Sequence, residues 1–108
     1  MSTRKKSGSD VGVAEPKAKV LPKLERPRLY KVLLHNDDFT TMEFVIHVLE
    51  VVFSRTPAES HDLMLQVHTR GMCVAGVYTY EIAETKMGTV EQMARAAEFP
   101  FLCTMEPE

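Results

Sequence analysis

The sequence predicts a small α+β domain with the order β-α-α-β-α-β, in which three helices cover a three-stranded, mostly antiparallel sheet. Three observations support this fold class. The chain has 108 residues, which is enough for one domain with one modest core. Short runs of strand formers alternate with longer segments in which apolar residues recur at helical spacing. Two of those segments begin with a Thr-x-x-Glu pattern, which marks a helix start.

The first 27 residues differ in composition from the rest of the chain. They contain prolines but no aromatic residue, so we predict a disordered N-terminal extension at 1–27 and a folded domain at 28–108. Most of the basic residues lie in this extension, which leaves the domain acidic. An acidic domain argues against nucleic-acid binding, because that function needs clustered Lys and Arg.

Residues 29–53 predict the first strand and the first helix. Leu-Tyr-Lys-Val-Leu-Leu-His at 29–35 is rich in strand formers. Thr40 and Glu43 form a capping pattern that predicts a helix with Thr40 as its N-cap. Apolar residues then recur at helical spacing over much of the helix surface, which indicates a central position in the domain.

The next segment predicts a second helix followed by a strand. Thr-Pro-Ala-Glu at 56–59 is a second capping pattern with proline at the first helical position, and Gly71 predicts the helix end. Residues 72–78 predict a strand, with a bulge or a close backbone approach at Gly76.

The last segment predicts a third helix and a final strand. Thr79 is the predicted N-cap, and apolar residues at helical spacing continue to Ala97. Pro100 prevents the helix from continuing, and residues 101–105 predict a short strand.

Composition also bears on location in the cell. No apolar stretch is long enough to span a membrane, and the N-terminus lacks the apolar middle of a signal peptide, so we predict a cytoplasmic protein. Cys73 and Cys103 have no close-spaced partners for a zinc site. We predict that both are reduced and packed in the core.

The segment between the first strand and the first helix carries more acceptors than a turn needs. The consecutive residues with side-chain oxygens are Asn36, Asp37 and Asp38. An Asx-type turn explains any one of them more readily than all three. On the second helix, His68 shares a face with Met64 and Val67, where a core histidine is the simpler interpretation. Together, however, these acceptors and apolar residues suit a primary ammonium carried by a hydrophobic body, because an ammonium has three donors.

Several separated segments resemble one protein family. They are YKVLLHNDDFTTMEFVIHVLE, LMLQVHTRG, GVYTYEIAETK and PFLCTME, which agree in order and spacing over about residues 29–106. These segments resemble the ClpS family, the bacterial adaptors of the N-end rule pathway. The resemblance implies a non-enzymatic adaptor, without a cofactor and monomeric. It would bind proteins that begin with Leu, Phe, Tyr or Trp and deliver them to the N-terminal domain of the AAA+ unfoldase ClpA of the ClpAP protease.

The resemblance also assigns site residues by position. The α-amine ligands of the family correspond to Asn36, Asp37 and His68. The pocket for the first side chain corresponds to Leu34, Asp38, Thr40, Met42, Val45, Met64, Val67 and Phe101. Met42 matches the residue that excludes β-branched side chains, and Glu81 and Lys86 match the surface that faces the unfoldase. In the family, the N-terminal extension is engaged by the unfoldase pore.

Two positions depart from the family pattern. Thr41 stands where proline is common, and Phe101 stands at the expected pocket floor where leucine is common. A larger floor residue predicts less room for Trp or Tyr than for Leu or Phe.

Two other functions are compatible with the same residues. A small metal-binding protein would use Asp37, Asp38 and His68, with His35 as a further ligand. A generic interaction domain of the same fold would bind a partner through an external helix face and would not require a free amine.

Overall fold

A computed structural model describes residues 26–108 of the chain. Residues 1–25 of the predicted extension lie outside the described residues. The elements in chain order are β1 (Leu29–His35), α1 (Met42–Val51), α2 (Pro57–Arg70), β2 (Met72–Thr79), α3 (Tyr80–Ala96) and β3 (Leu102–Pro107). The predicted α+β fold class and the order β-α-α-β-α-β are therefore confirmed.

The three strands form one antiparallel sheet with β1 in the centre, in the order β2-β1-β3. Leu34 of β1 is opposite Cys73 on one side and Cys103 on the other. The pairing with β2 is irregular, because Val32 is opposite Gly76 while Leu33 is opposite Val74. The predicted irregularity at Gly76 is confirmed, and a β-carbon at this position would overlap the ring of Tyr78.

The core lies on one face of the sheet. Val32 and Leu34 of β1 are fully buried there, and the helices contribute Val48, Leu49 and Val90. Cys73 and Cys103 are both unpaired and buried. Burial raises the pKa of the Cys73 thiol to about 11 and that of Cys103 to about 12, so both are protonated at neutral pH. The prediction that both cysteines are packed in the core is confirmed.

The predicted N-cap of α1 is wrong by one residue. The cap is Thr41, whose Oγ1 accepts from the backbone N–H of Phe44 at 3.1 Å. Thr40 is not available for capping, because its backbone N–H and its hydroxyl both donate to the Asp37 carboxylate. The strong local acceptor three residues upstream therefore decides which threonine caps the helix.

The predicted start and end of α2 are confirmed. The Thr56 side chain accepts from the Glu59 backbone N–H, and the Glu59 carboxylate accepts from the Thr56 N–H, each at 3.1 Å. Gly71 ends the helix with a φ of 94°, a left-handed conformation that glycine adopts without a steric penalty. Thr79 is the N-cap of α3, as predicted, but its side chain makes no capping hydrogen bond.

Candidate functional site

The described residues enclose a cavity of about 420 Å³ between α2 and the segment that joins β1 to α1. A volume of this order is typical of a site for a small ligand or a single side chain. The residues that line it are Asn36, Asp37, Asp38, Phe39, Thr40, Thr41, Met42, Val45, Met64, Val67 and His68. Residues far apart in the sequence therefore meet in one concave surface, and nine of them are residues that the sequence assigned to the site.

The base of the cavity is apolar. Val45 of α1 and Met64 and Val67 of α2 are each less than 5% exposed, so they form part of the core as well as the cavity wall. Met42, in the first turn of α1, is 45% exposed and lies at the mouth. An apolar group that enters this cavity exchanges water for contact with aliphatic and thioether side chains, which is favourable.

The polar side of the cavity is built around Asp37. Its Oδ1 accepts from the backbone N–H groups of Phe39 at 2.8 Å and Thr40 at 2.7 Å, and its Oδ2 accepts from the Thr40 hydroxyl at 2.7 Å. A carboxylate has about four acceptor positions, so this network leaves Oδ2 able to accept one more donor. Asp37 therefore both shapes the loop and presents negative charge to the cavity.

The hydrogen bonds at Asp37 also determine its ionisation. Partial burial opposes the charged form, but the hydrogen bonds from Thr40 and Phe39 outweigh it and hold the pKa of the Asp37 carboxyl below its ordinary value. The group is consequently ionised at neutral pH. An anionic acceptor fixed in this way favours a cationic ligand.

A backbone hydrogen bond holds the two polar sides of the cavity together. The Asn36 N–H donates to the carbonyl of Gly71 at 2.8 Å, which ties the end of β1 to the end of α2. His68 lies in the last turn of α2, so this bond places its imidazole on the same cavity as the Asn36 amide. Both side chains are exposed at the mouth and accessible to a ligand.

Two predicted pocket residues do not line the cavity. Leu34 is fully buried in the central strand and is not among the residues that line the cavity. Phe101 lines a separate hollow with Phe99 and packs edge-on against the ring of Phe44, with the centroids 5.9 Å apart. The Phe101 ring therefore packs beside Phe44 and Phe99, and its expected effect on the room in the pocket stays a prediction.

Two cavity residues were absent from the predicted site. Thr41 lines the wall while capping α1, and Phe39 lies on the rim with 73% of its surface exposed. Phe39 belongs to no helical or alternating pattern of apolar residues. Only its position within the polar segment before α1 could have indicated that it lines the site.

The two residues assigned to the unfoldase surface lie on α3, outside the cavity wall. Glu81 is exposed in the first turn. Lys86 is half-buried, and its Nζ donates to the carbonyl of Val52 at 2.8 Å. The same ammonium lies 5.2 Å from the centroid of the Tyr78 ring on β2, so Lys86 contacts both the end of α1 and the sheet.

The alternative metal site is not supported by the geometry. Within residues 26–108, no group of three or more His, Cys, Asp and Glu side chains is arranged to hold a metal ion. The Asp37 carboxylate accepts from Thr40 and Phe39, and the His35 Nε2 lies 2.8 Å from the hydroxyl of Thr104 on β3.

No helix in the described part of the chain is long and apolar enough to cross a membrane.

Comparisons with known proteins agree with these features. Residues 25–104 match the family described as ClpS, ATP-dependent Clp protease adaptor protein. The ATP-dependent Clp protease adapter protein ClpS of Desulfatibacillum aliphaticivorans is 62% identical over 86 residues, which are 80% of this chain and 83% of that protein. The ClpS of Roseobacter denitrificans is 48% identical over 108 residues, covering 100% of this chain and 93% of that protein.

A solved structure is also similar to this chain. It is the structure of Agrobacterium tumefaciens ClpS2 bound to L-phenylalaninamide. The TM-score is 0.74 and the sequence identity is 42%, with 77% of this chain and 100% of that chain covered.

Proposed function

The chain belongs to the ClpS family of Clp protease adaptors, and we propose that it binds the free α-amine and the large hydrophobic first side chain of N-degron proteins. ClpS proteins are adaptors rather than enzymes, so the expected activity is recognition. The observation that carries the proposal is the cavity itself, where Asn36, Asp37 and His68 meet above an apolar base.

The polar rim supports recognition of an ammonium group. An N-terminal –NH3+ has three donors, and the rim offers the Asn36 carbonyl, the free acceptor position on Asp37 and the unprotonated nitrogen of a neutral His68. The ionised Asp37 adds charge complementarity. An internal residue of a protein lacks the ammonium, so binding there would leave these acceptors unpaired.

The apolar base supports recognition of the first side chain. Val45, Met64 and Val67 offer a wall that a Leu, Phe, Tyr or Trp side chain can bury itself against, which contributes about 1.5–3 kcal/mol. A methionine wall adapts to different shapes, so one cavity can accept both aliphatic and aromatic residues. The exposed Met42 at the mouth would exclude side chains branched at the β-carbon.

The ligand of A. tumefaciens ClpS2 supports this part of the proposal. That protein was solved with L-phenylalaninamide, which carries a free α-amine and an aromatic side chain. The cavity of this chain can accommodate a free α-amine together with a large apolar side chain. Asp38 and Thr40 complete the cavity wall beside the proposed position of the amine.

Delivery is the second part of the proposed function. The family is named for Clp protease, and we propose that a bound substrate passes to the N-terminal domain of a ClpA-type unfoldase in the cytoplasm. The adaptor would act as a monomer and present Glu81 and Lys86 of α3. Because these residues lie outside the cavity wall, a substrate and the unfoldase can be held at the same time.

A fluorescence titration tests the proposed recognition. A labelled peptide that begins with Phe should bind with a Kd of about 1 μM or lower, and its N-acetylated form should bind at least about 100-fold more weakly. Equal binding of the two peptides would exclude amine recognition.

A pair of double variants makes this test specific to the site. Asn36→Ala with His68→Ala should abolish most of the binding of the free peptide. The matched control is His47→Ala with His61→Ala, since these histidines are exposed on α1 and α2 but do not line the cavity. A generic interaction domain predicts no difference between the two double variants.

A further inference from the structure

Phe39 is an exposed aromatic residue on the rim of the cavity. With 73% of its surface exposed, its ring is more accessible than any other large hydrophobic side chain within residues 26–108. It is also part of the cavity wall, two residues after Asp37. A ring kept in water beside a binding cavity offers apolar area that a ligand could bury.

The backbone that carries Phe39 is held in place by Asp37. The Phe39 N–H donates to Oδ1 at 2.8 Å, and the next residue, Thr40, donates its N–H to the same oxygen at 2.7 Å. The Thr40 hydroxyl donates to Oδ2. Contact with the ring therefore requires little ordering of the backbone, because the loop is already fixed by these three bonds.

The proposed ligand position brings its second residue to this rim. With the α-amine at Asn36, Asp37 and His68 and the first side chain at the base, the peptide chain leaves through the mouth. The Cα atom of the second residue lies about 3.8 Å from that of the first, so the second side chain leaves the peptide close to the rim of the cavity. Among the rim residues, Phe39 supplies the largest exposed apolar surface.

We propose that the Phe39 ring is a specificity-determining surface for the second residue of the bound peptide, and that it favours an apolar second side chain. This inference rests on the proposed recognition of the N-terminus. Leucine at the second position would cover part of the ring, whereas alanine would leave it in water. We expect about a fivefold preference for Leu over Ala, since only part of the side chain is buried.

Paired titrations of the wild type and of two Phe39 variants test the proposal. Two peptides that begin with Phe and differ only in Leu or Ala at the second position are titrated into the wild type and into Phe39→Ala. The ratio of the two affinities in the wild type is compared with the ratio in each variant, and this comparison removes effects of the peptide alone. The wild type should prefer Leu by about fivefold, Phe39→Ala should bind both peptides nearly equally, and Phe39→Leu should keep part of the preference.

Val51→Ala is the matched control. Val51 is 60% exposed on α1 and does not line the cavity, so this variant should keep the wild-type ratio. An equal preference for Leu in the wild type and Phe39→Ala, or no preference in the wild type, overturns the proposal for Phe39. Failure of the proposed function is a different result: neither peptide would bind more tightly than its N-acetylated form.

Discussion

At the scale of single residues, Asp37 carries the most roles. It fixes the loop through three hydrogen bonds, displaces Thr40 from the helix cap and presents a carboxylate oxygen to the cavity. Under the proposed function, Asp37 would therefore serve both the structure of the loop and the recognition of the amine. In an isolated Asx turn, the carboxylate would only stabilise the loop.

Two substitutions of Asp37 should separate these functions. Asp37→Asn keeps an oxygen for the backbone N–H groups but removes the charge, so the thermal unfolding temperature should change little while peptide affinity falls about tenfold. Asp37→Ala removes both and should also destabilise the fold by about 1–2 kcal/mol. Thermal denaturation and peptide titration measure the two effects, and an Asp37→Asn variant with wild-type affinity would contradict an ammonium at this carboxylate.

Two substitutions of His68 should show whether it accepts a hydrogen bond from the ammonium. His68→Gln keeps a carbonyl oxygen that can accept, so it should retain most of the peptide affinity. His68→Leu has no acceptor, so the affinity should fall about tenfold. Peptide titration of the two variants measures the difference, and equal affinities would rule out an acceptor role for His68.

The buried thiols should be unreactive in the native protein. With a pKa of about 11 for Cys73 and about 12 for Cys103, both thiols carry their proton at pH 8, and the thiolate is the reactive form. A thiol reagent at pH 8 should modify neither cysteine until denaturant is added, when both should react. Rapid modification of the folded protein would show that one of them is accessible.

At the scale of the elements, hydrogen bonds at the ends of helices and strands position the site. The Asn36 to Gly71 bond joins β1 to α2, and the left-handed Gly71 lets the chain turn directly into β2. The start of α1 at Thr41 directs Met42 to the mouth and Val45 to the base. The cavity is therefore a consequence of how three element ends meet.

The three threonine caps should differ in their effect on stability. Thr56 and Thr41 each accept a backbone N–H, so replacing either with alanine should cost about 1 kcal/mol. Thr79 makes no such bond, and Thr79→Ala is the matched control with an expected cost below about 0.5 kcal/mol. Chemical denaturation of the three variants measures this order, and an equal loss in all three would contradict it.

The sequence predicted elements where one local signal acts alone. The strand at 29–35, the capping box at Thr56 and the helix end at Gly71 are such cases. It failed at Thr40, where the Asp37 carboxylate competes for the same side chain. The direction of a buried side chain could not be read from the sequence either: the ring of Phe101 packs against Phe44, which in turn packs against Phe99.

At the scale of the whole molecule, the fold separates two surfaces. The cavity lies where α2 meets the segment before α1, and Glu81 and Lys86 lie on α3. The Lys86 ammonium is joined to the Val52 carbonyl at the end of α1, so α3 is held against the same helix that forms one wall of the cavity. Under the proposed function, the cavity would hold the substrate and the α3 surface would face the protease.

The position of a bound N-terminus tests this account most directly. A crystal structure with a peptide that begins with Phe should place its ammonium within about 3.2 Å of Asn36, Asp37 and His68. The phenyl ring should lie against Val45, Met64 and Val67. An ammonium in solvent, or a peptide bound along an outer helix face with the cavity empty, would contradict the proposed recognition.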